Sequence, residues 1–273
     1  MTMRIPNLLL SLLLCAPAFN AHAGSDCTER HANPLNVAEA ADSALRVVDE
    51  LERGGRRVAL IARIGADLSK HRLVYSHAGF VLRDHSDGRW SVVHLLNECG
   101  SERSGIYVDG LVNFFADELL RQDVRIVWFE PRFEAQLAEW LGTDGPTRLH
   151  HSRYNLIARP GSDASQNSTA WVAEMLGAAL LSPAPARDRA TAYQAVSTDG
   201  FVPDTIHVPY SKRVLGGLFS ANTDFTDHPI RTRLSGDYPV VTVRAIIRYL
   251  EHGHADLQRE WRDGRWHDDL GPA

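Results

Sequence analysis

Three polar residues in this 273-residue chain have the type and setting for acid–base and nucleophilic chemistry: His77, His94 and Ser168. The run Tyr75-Ser76-His77-Ala78-Gly79-Phe80-Val81-Leu82 places one imidazole in a strand-like apolar stretch, where it is costly unless it has a partner. His94 lies in a second such stretch, Trp90 to Leu96. Ser168 opens a run to Leu181 in which Trp171, Val172, Met175, Leu176 and Ala179 recur at helical spacing. A nucleophile at a helix N-terminus meets free backbone N–H groups and the positive end of the helix dipole, which stabilise a developing oxyanion. An imidazole on an adjacent strand would act as base, and a second polar residue would orient it. A plainer reading stands beside this one. Ser168 and Thr169 are ordinary helix-capping residues, His77 suits a core histidine bonded to a carbonyl, and His94 a solvated one.

These groups must be positioned by the surrounding elements. From Asn36 to Glu52, Val37, Ala41, Ala44, Leu45, Val48 and Leu51 follow helical spacing and Gly54-Gly55 stops it. Arg57 to Ile64, Leu73 to Leu82 and Trp90 to Leu96 read as strands, and Asp84 to Gly88 supplies the turn of a hairpin that carries His77 and His94 on adjacent antiparallel strands. A helix is expected from Val108 to Leu119, a strand from Val124 to Phe129, and a helix from Pro131 to about Gly142. After the Ser168 helix come a helix from Arg187 to Val196, strands at Ile206 to Val208 and Val240 to Val243, and a helix from Ala245 to Leu250. The tail beyond His254 reads as too polar to dock. Trp128, Trp140 and Trp171 fall on apolar faces and read as core. The weakly periodic stretch from Gly200 to Tyr238, with Asp204, His207, Asp227 and His228, reads as a lid or cleft wall. The expectation is one α+β domain spanning residues 24–273, an antiparallel sheet packed by helices.

The start of the chain is a targeting signal by pattern. Arg4, the apolar run Leu8 to Leu14 and the small residues of Ala21-His22-Ala23 mark residues 1–23 as a cleaved secretory peptide, so the mature protein begins near Gly24 and is periplasmic or secreted. Leu14 before Cys15 argues against a lipoprotein. No later stretch reaches membrane-span length. A net charge of −5 with scattered basic residues gives no reason to expect nucleic acid. In an oxidising compartment the remaining cysteines, Cys27 and Cys99, read as one disulfide. Cys99 is also the competing nucleophile, a role that a bridged sulfur could not fill. His150-His151 and His252-x-His254 pair imidazoles without the carboxylate or thiolate that zinc spacing wants. No metal and no cofactor is expected, and Asn167-Ser168-Thr169, a glycosylation triplet by pattern, is read as a helix start.

The runs Tyr75 to Phe80, Val93-His94-Leu95-Leu96-Asn97-Glu98-Cys99-Gly100 and Gln166-Asn167-Ser168-Thr169-Ala170-Trp171-Val172 resemble the bacterial family called domain of unknown function 2145, through most of the mature chain. That family in turn resembles the circularly permuted NlpC-type branch of papain-like hydrolases. The resemblance implies a papain-like fold, His77 as base, His94 near the place of the orienting group, and Ser168 where the nucleophilic cysteine of that branch begins the later helix. It implies amidase, peptidase or acyl-transfer ancestry, with a cell-wall peptide or a lipid acyl group as substrate. The serine departs from the pattern, because a hydroxyl is far less acidic than a thiol. A working serine variant, a cysteine-to-serine replacement and a non-catalytic binding or scaffolding protein that keeps the cleft all stay open.

Overall fold

The computed structural model describes residues 33–117, 119–182, 184, 186–213, 222–268 and 270. The leader, Cys15 and Cys27 lie outside the described residues.

Helix α1 (Pro34–Gly54) starts where the Asn33 side chain accepts from Leu35 N, and it stops at Gly55, which takes the left-handed conformation with φ 65°. It buries Ala40, Ala44, Val47 and Leu51 on one stripe. Strand β1 (Val58–Ile64) is buried along its whole length, as expected of a branched apolar run in the middle of a sheet. It pairs antiparallel with β2 (His77–His85) on one side and β5 (Arg121–Phe129) on the other. Strands β3 (Gly88–Asn97) and β4 (Ser104–Gly110) extend the sheet past β2, while β8 (Ala255–Arg262) and β9 (Arg265–His267) extend it past β5. The seven strands lie in the order β4-β3-β2-β1-β5-β8-β9, and each neighbouring pair is antiparallel.

Helices cover both faces. On one, α1 and the short α2 (Leu111–Ala116) pack on Ala59, Ile61, Val81, Val92, Ile126 and Trp128. On the other, α3 (Pro131–Leu141), α5 (Ser168–Leu180) and α6 (Arg189–Thr198) share a core with Leu60, Ala62, Phe80, Val93 and Val127. A single turn, α4 (Gly145–Arg148), precedes the loop to α5. A small antiparallel pair, β6 (Asp204–His207) with β7 (Asp237–Val240), a short α7 (Ile230–Ser235) and α8 (Val243–Glu251) complete the second layer. Trp128, Trp140 and Trp171 are all buried in these cores.

The mixed α+β class and the hairpin are as expected, and three elements are corrected. Ser104–Gly110 is an edge strand, and the helix expected from Val108 shrinks to Leu111–Ala116. Strand β2 begins at His77, because Ser69–His71 forms a 3₁₀ turn and the chain enters the sheet late. The polar tail docks after all, as β8 and β9. Its charged side chains find partners there: Arg259 meets Glu50, and Arg262 meets Glu260.

Candidate functional site

His77 is the first residue of β2 and sits opposite Arg63 of β1. Residues in a strand alternate faces, so His77, Gly79 and Val81 share the face covered by α1 and α2, while Ala78, Phe80 and Leu82 share the other. His94 is on the same face as His77. A Cβ on Gly79 would lie 2.9 Å from the His94 Cβ, so the glycine two residues after His77 is what leaves room for the second imidazole. The Phe114 ring of α2 closes over both, with centroids 6.1 Å from His77 and 5.5 Å from His94.

The two rings join a third group. His77 Nε2 and His94 Nδ1 are 2.9 Å apart, and His94 Nε2 is 2.8 Å from Asp109 Oδ2 on β4. The bond from His94 holds the Asp109 carboxyl below its usual range, so the carboxylate accepts from His94 Nε2–H. In the neutral ring His94 Nδ1 then accepts from His77 Nε2–H, which leaves His77 Nδ1 as the acceptor at the open end. Burial foremost, then the Arg63 guanidinium and His94, hold His77 well below the ordinary histidine range. Arg63 is fixed by bonds to the Phe114 carbonyl and to Asp117, 4.6 Å over the Phe114 ring.

This depressed value has a signed consequence. An unfolded histidine titrates near 6.5, and the folded His77 resists protonation until far lower pH. The stability that depends on its neutral form is therefore complete above about pH 6.5 and is lost progressively as the pH falls toward the folded value. In urea unfolding between pH 7 and 5, His77→Gln is expected to flatten part of the wild-type decline. An equal slope in both proteins would contradict the assignment.

Ser168 lies elsewhere. The cap of α5 is Asn167, whose Oδ1 accepts from Ala170 N at 2.8 Å, so Ser168 is the first helical residue and not the cap. Helix α5 packs through Trp171 on Phe80, ring centroids 5.8 Å apart, which puts it on the face that His77 and His94 do not share. The expected assembly of His77, His94 and Ser168 is thus corrected. The structure brings the two imidazoles together, adds Asp109, and sets the serine across the sheet. Alternation carries the reason: Phe80 three residues after His77 points the opposite way.

The Ser168 hydroxyl meets the Tyr154 phenol, which burial pushes up to about 12, so both remain protonated hydroxyls near neutral pH. They border a cavity of about 280 Å³. Its walls come from the segment before β2, the loop before α5, and the stretch from β6 through β7 to the start of α8, so the weakly periodic region does form a cleft wall. Asp204, in that stretch, is used structurally by Arg244 and Arg248.

The remaining expectations concern Cys99 and the paired histidines. Cys99 sits in the turn after β3, beside Gly100 with φ 65°, and its pairing with Cys27 falls outside the described residues. The paired histidines are each engaged separately: His150 with the Ser104 hydroxyl at 3.1 Å, His151 Nδ1 accepting from Arg153 N at 3.1 Å, His254 with Asp199 at 2.6 Å, and His252 with the Arg248 carbonyl. Among the described residues no group of three His, Cys, Asp or Glu is arranged to hold a metal ion, and no helix is long and apolar enough to cross a membrane. Asp109 escaped the sequence reading because its strand carries little apolar signal. The alternation of Ile106 and Val108 against Tyr107 and Asp109 is the trace that could have found it.

Fold and site together define a mixed α+β protein with a large antiparallel sheet, a buried imidazole pair on one face and an apolar cavity on the other. A family model described as an uncharacterized protein conserved in bacteria (DUF2145) matches residues 50–250, and the chain belongs to that family. The match ends within α8, so β8 and β9 lie beyond it. No curated protein and no solved structure matches the chain.

Proposed function

We propose that this is an exported binding protein on a papain-like framework, in which Ser168 helps to shape a ligand cleft and does not attack a carbonyl. The leader-like residues 1–23 support export to the periplasm or beyond, and with it a Cys27–Cys99 bridge. The resemblance of the His77 and Ser168 segments to the permuted NlpC-type branch supports the ancestry, and with it a cell-wall peptide or a lipid acyl group as ligand class. One observation carries the non-catalytic reading. The imidazole pair and Ser168 occupy opposite faces of the sheet, and the hydroxyl's own neighbour is a phenol that burial keeps protonated. A serine without a base in reach is a poor nucleophile.

The test is Ser168→Cys treated with iodoacetamide. The new thiol is expected to react no faster than a free cysteine at the same pH, and a second change, His77→Ala, is expected to leave that rate unaltered. A thiol activated tenfold or more, with the gain lost on removing His77, would restore the hydrolase reading.

A further inference from the structure

The cavity beside Ser168 has walls of branched aliphatic side chains. Leu73, Ile157, Ile206, Val208, Val240 and Val243 contribute to it from four separate stretches of chain. Five of its polar side chains are committed to the protein itself. Asn167 donates its amide N–H to the Leu156 carbonyl, and its oxygen accepts from Ala170 N. Thr169 donates to the Val241 carbonyl at 2.7 Å, and Thr242 accepts from Ala245 N at 3.0 Å while donating to Asp204. Ser76 accepts from the backbone of Gly65 and Ala66 at 2.8 and 3.0 Å, and Tyr75 donates to Glu260. The other polar side chains that line the space are the Ser168–Tyr154 hydroxyl pair, His71, Thr223 and Lys212, the last exposed to solvent.

That inventory discriminates among ligands. A peptide or a sugar entering this space would bring more donors and acceptors than these few groups can satisfy, at a cost for each one buried without a partner. An aliphatic chain brings none and gains by leaving water. The hydroxyl pair can donate to one acceptor group at the chain's end, and an exposed ammonium favours negative charge there. From this we infer that the cavity binds a single aliphatic acyl chain, with its carboxylate or ester carbonyl held by Ser168 and Tyr154. The inference rests on the cleft-binding reading above and selects the acyl class over the peptide class.

The experiment is calorimetric titration of the protein with dodecanoate, methyl dodecanoate, dodecane carried in cyclodextrin, and a soluble muropeptide. Dodecanoate is expected to bind one to one, and Tyr154→Phe to weaken it about tenfold without altering dodecane binding. Ile206→Trp, which fills the cavity from its wall, is expected to abolish binding of every apolar ligand while circular dichroism stays unchanged. Weaker binding of the methyl ester than of the acid would point to a free fatty acid. Equal binding would point to the acyl group of a lipid, and either result supports the inference. Dodecane bound as tightly as dodecanoate, with no effect of Tyr154→Phe, would overturn the acyl assignment and leave the apolar cleft standing. Preference for the muropeptide would overturn the acyl class alone. Failure of all four ligands would overturn the cleft-binding reading as well.

Discussion

Arg189→Ala is expected to destabilise the protein by about 3 to 5 kcal/mol at pH 8, in the range for breaking a buried ion pair by removing one partner, and by distinctly less at pH 5. Arg189 of α6 reaches Glu174 of α5 through two bonds of 2.9 Å, and Gln166 donates to the same carboxylate at 2.6 Å. Burial raises Glu174 to about 7 even so, against the lowering effect of Arg189 and Gln166. A carboxyl whose folded value exceeds its unfolded one contributes stability that is complete below about pH 4.5 and is lost as the pH rises through about 7. Removing the guanidinium raises the folded value further. The variant therefore carries a protonated, tolerable Glu174 at pH 5 and an uncompensated buried charge at pH 8. Urea midpoints at the two values check this, and Arg189→Ala with Glu174→Gln should recover most of the loss at pH 8. A deficit independent of pH would mean that packing, and not charge, is what Arg189 supplies. The consequence reaches the cleft, because Gln166 also accepts from His151 N and donates to the Leu149 carbonyl. This cluster holds the loop that leads into Ser168.

Gly177→Ala is the second large effect. A Cβ at Gly177 would stand 1.9 Å from the Ala192 carbonyl oxygen and 2.8 Å from its carbon. Alanine in a helix interior is ordinarily better than glycine by about 1 kcal/mol, so the propensity and the packing have opposite signs here. The obstacle is backbone of α6 and cannot rotate aside, so one helix must move away from the other. An overpacking cost near the upper end, about 3 kcal/mol, is expected to win. Thermal unfolding with a lowered midpoint is the readout, and a raised midpoint would show that α5 and α6 do not approach as closely as Gly177 permits.

Much of this architecture was legible in the sequence where burial is one-sided or complete. Helix α1 declared itself through Ala44, Val48 and Leu51, β1 through its unbroken apolar run, and the His77–His94 pairing through the turn residues Asp84 to Gly88. The outer strands were not legible for a physical reason. β4 is an edge strand and β8 lies between β5 and the edge strand β9, and much of the surface of β4 and β8 stays wet. Their stability comes from the ladder and from ion pairs such as Arg259 of β8 with Glu50 of α1, so no apolar periodicity marks them. The Asp263-Gly264 turn between Trp261 and Trp266, with φ of 51° and 77°, was the available signal for the last hairpin. The site failed at a different link. Both faces of β2 are buried, so the sequence around His77 could not say which face α5 would cover, and a shift of one residue in that alternation decides whether a base and a nucleophile ever meet.

The order of the sheet fixes the order of events in making the molecule. β5 sits between β1 and β8, so its second edge stays bare until Ala255–Arg262 has emerged, long after β5 itself. Until then Val124 to Phe129, an apolar strand with unpaired N–H and C=O groups, is a template for pairing with other chains. A sheet in which an interior strand takes its partner from so far along the chain cannot close as its strands emerge, and the delay leaves a period in which a chaperone has work to do.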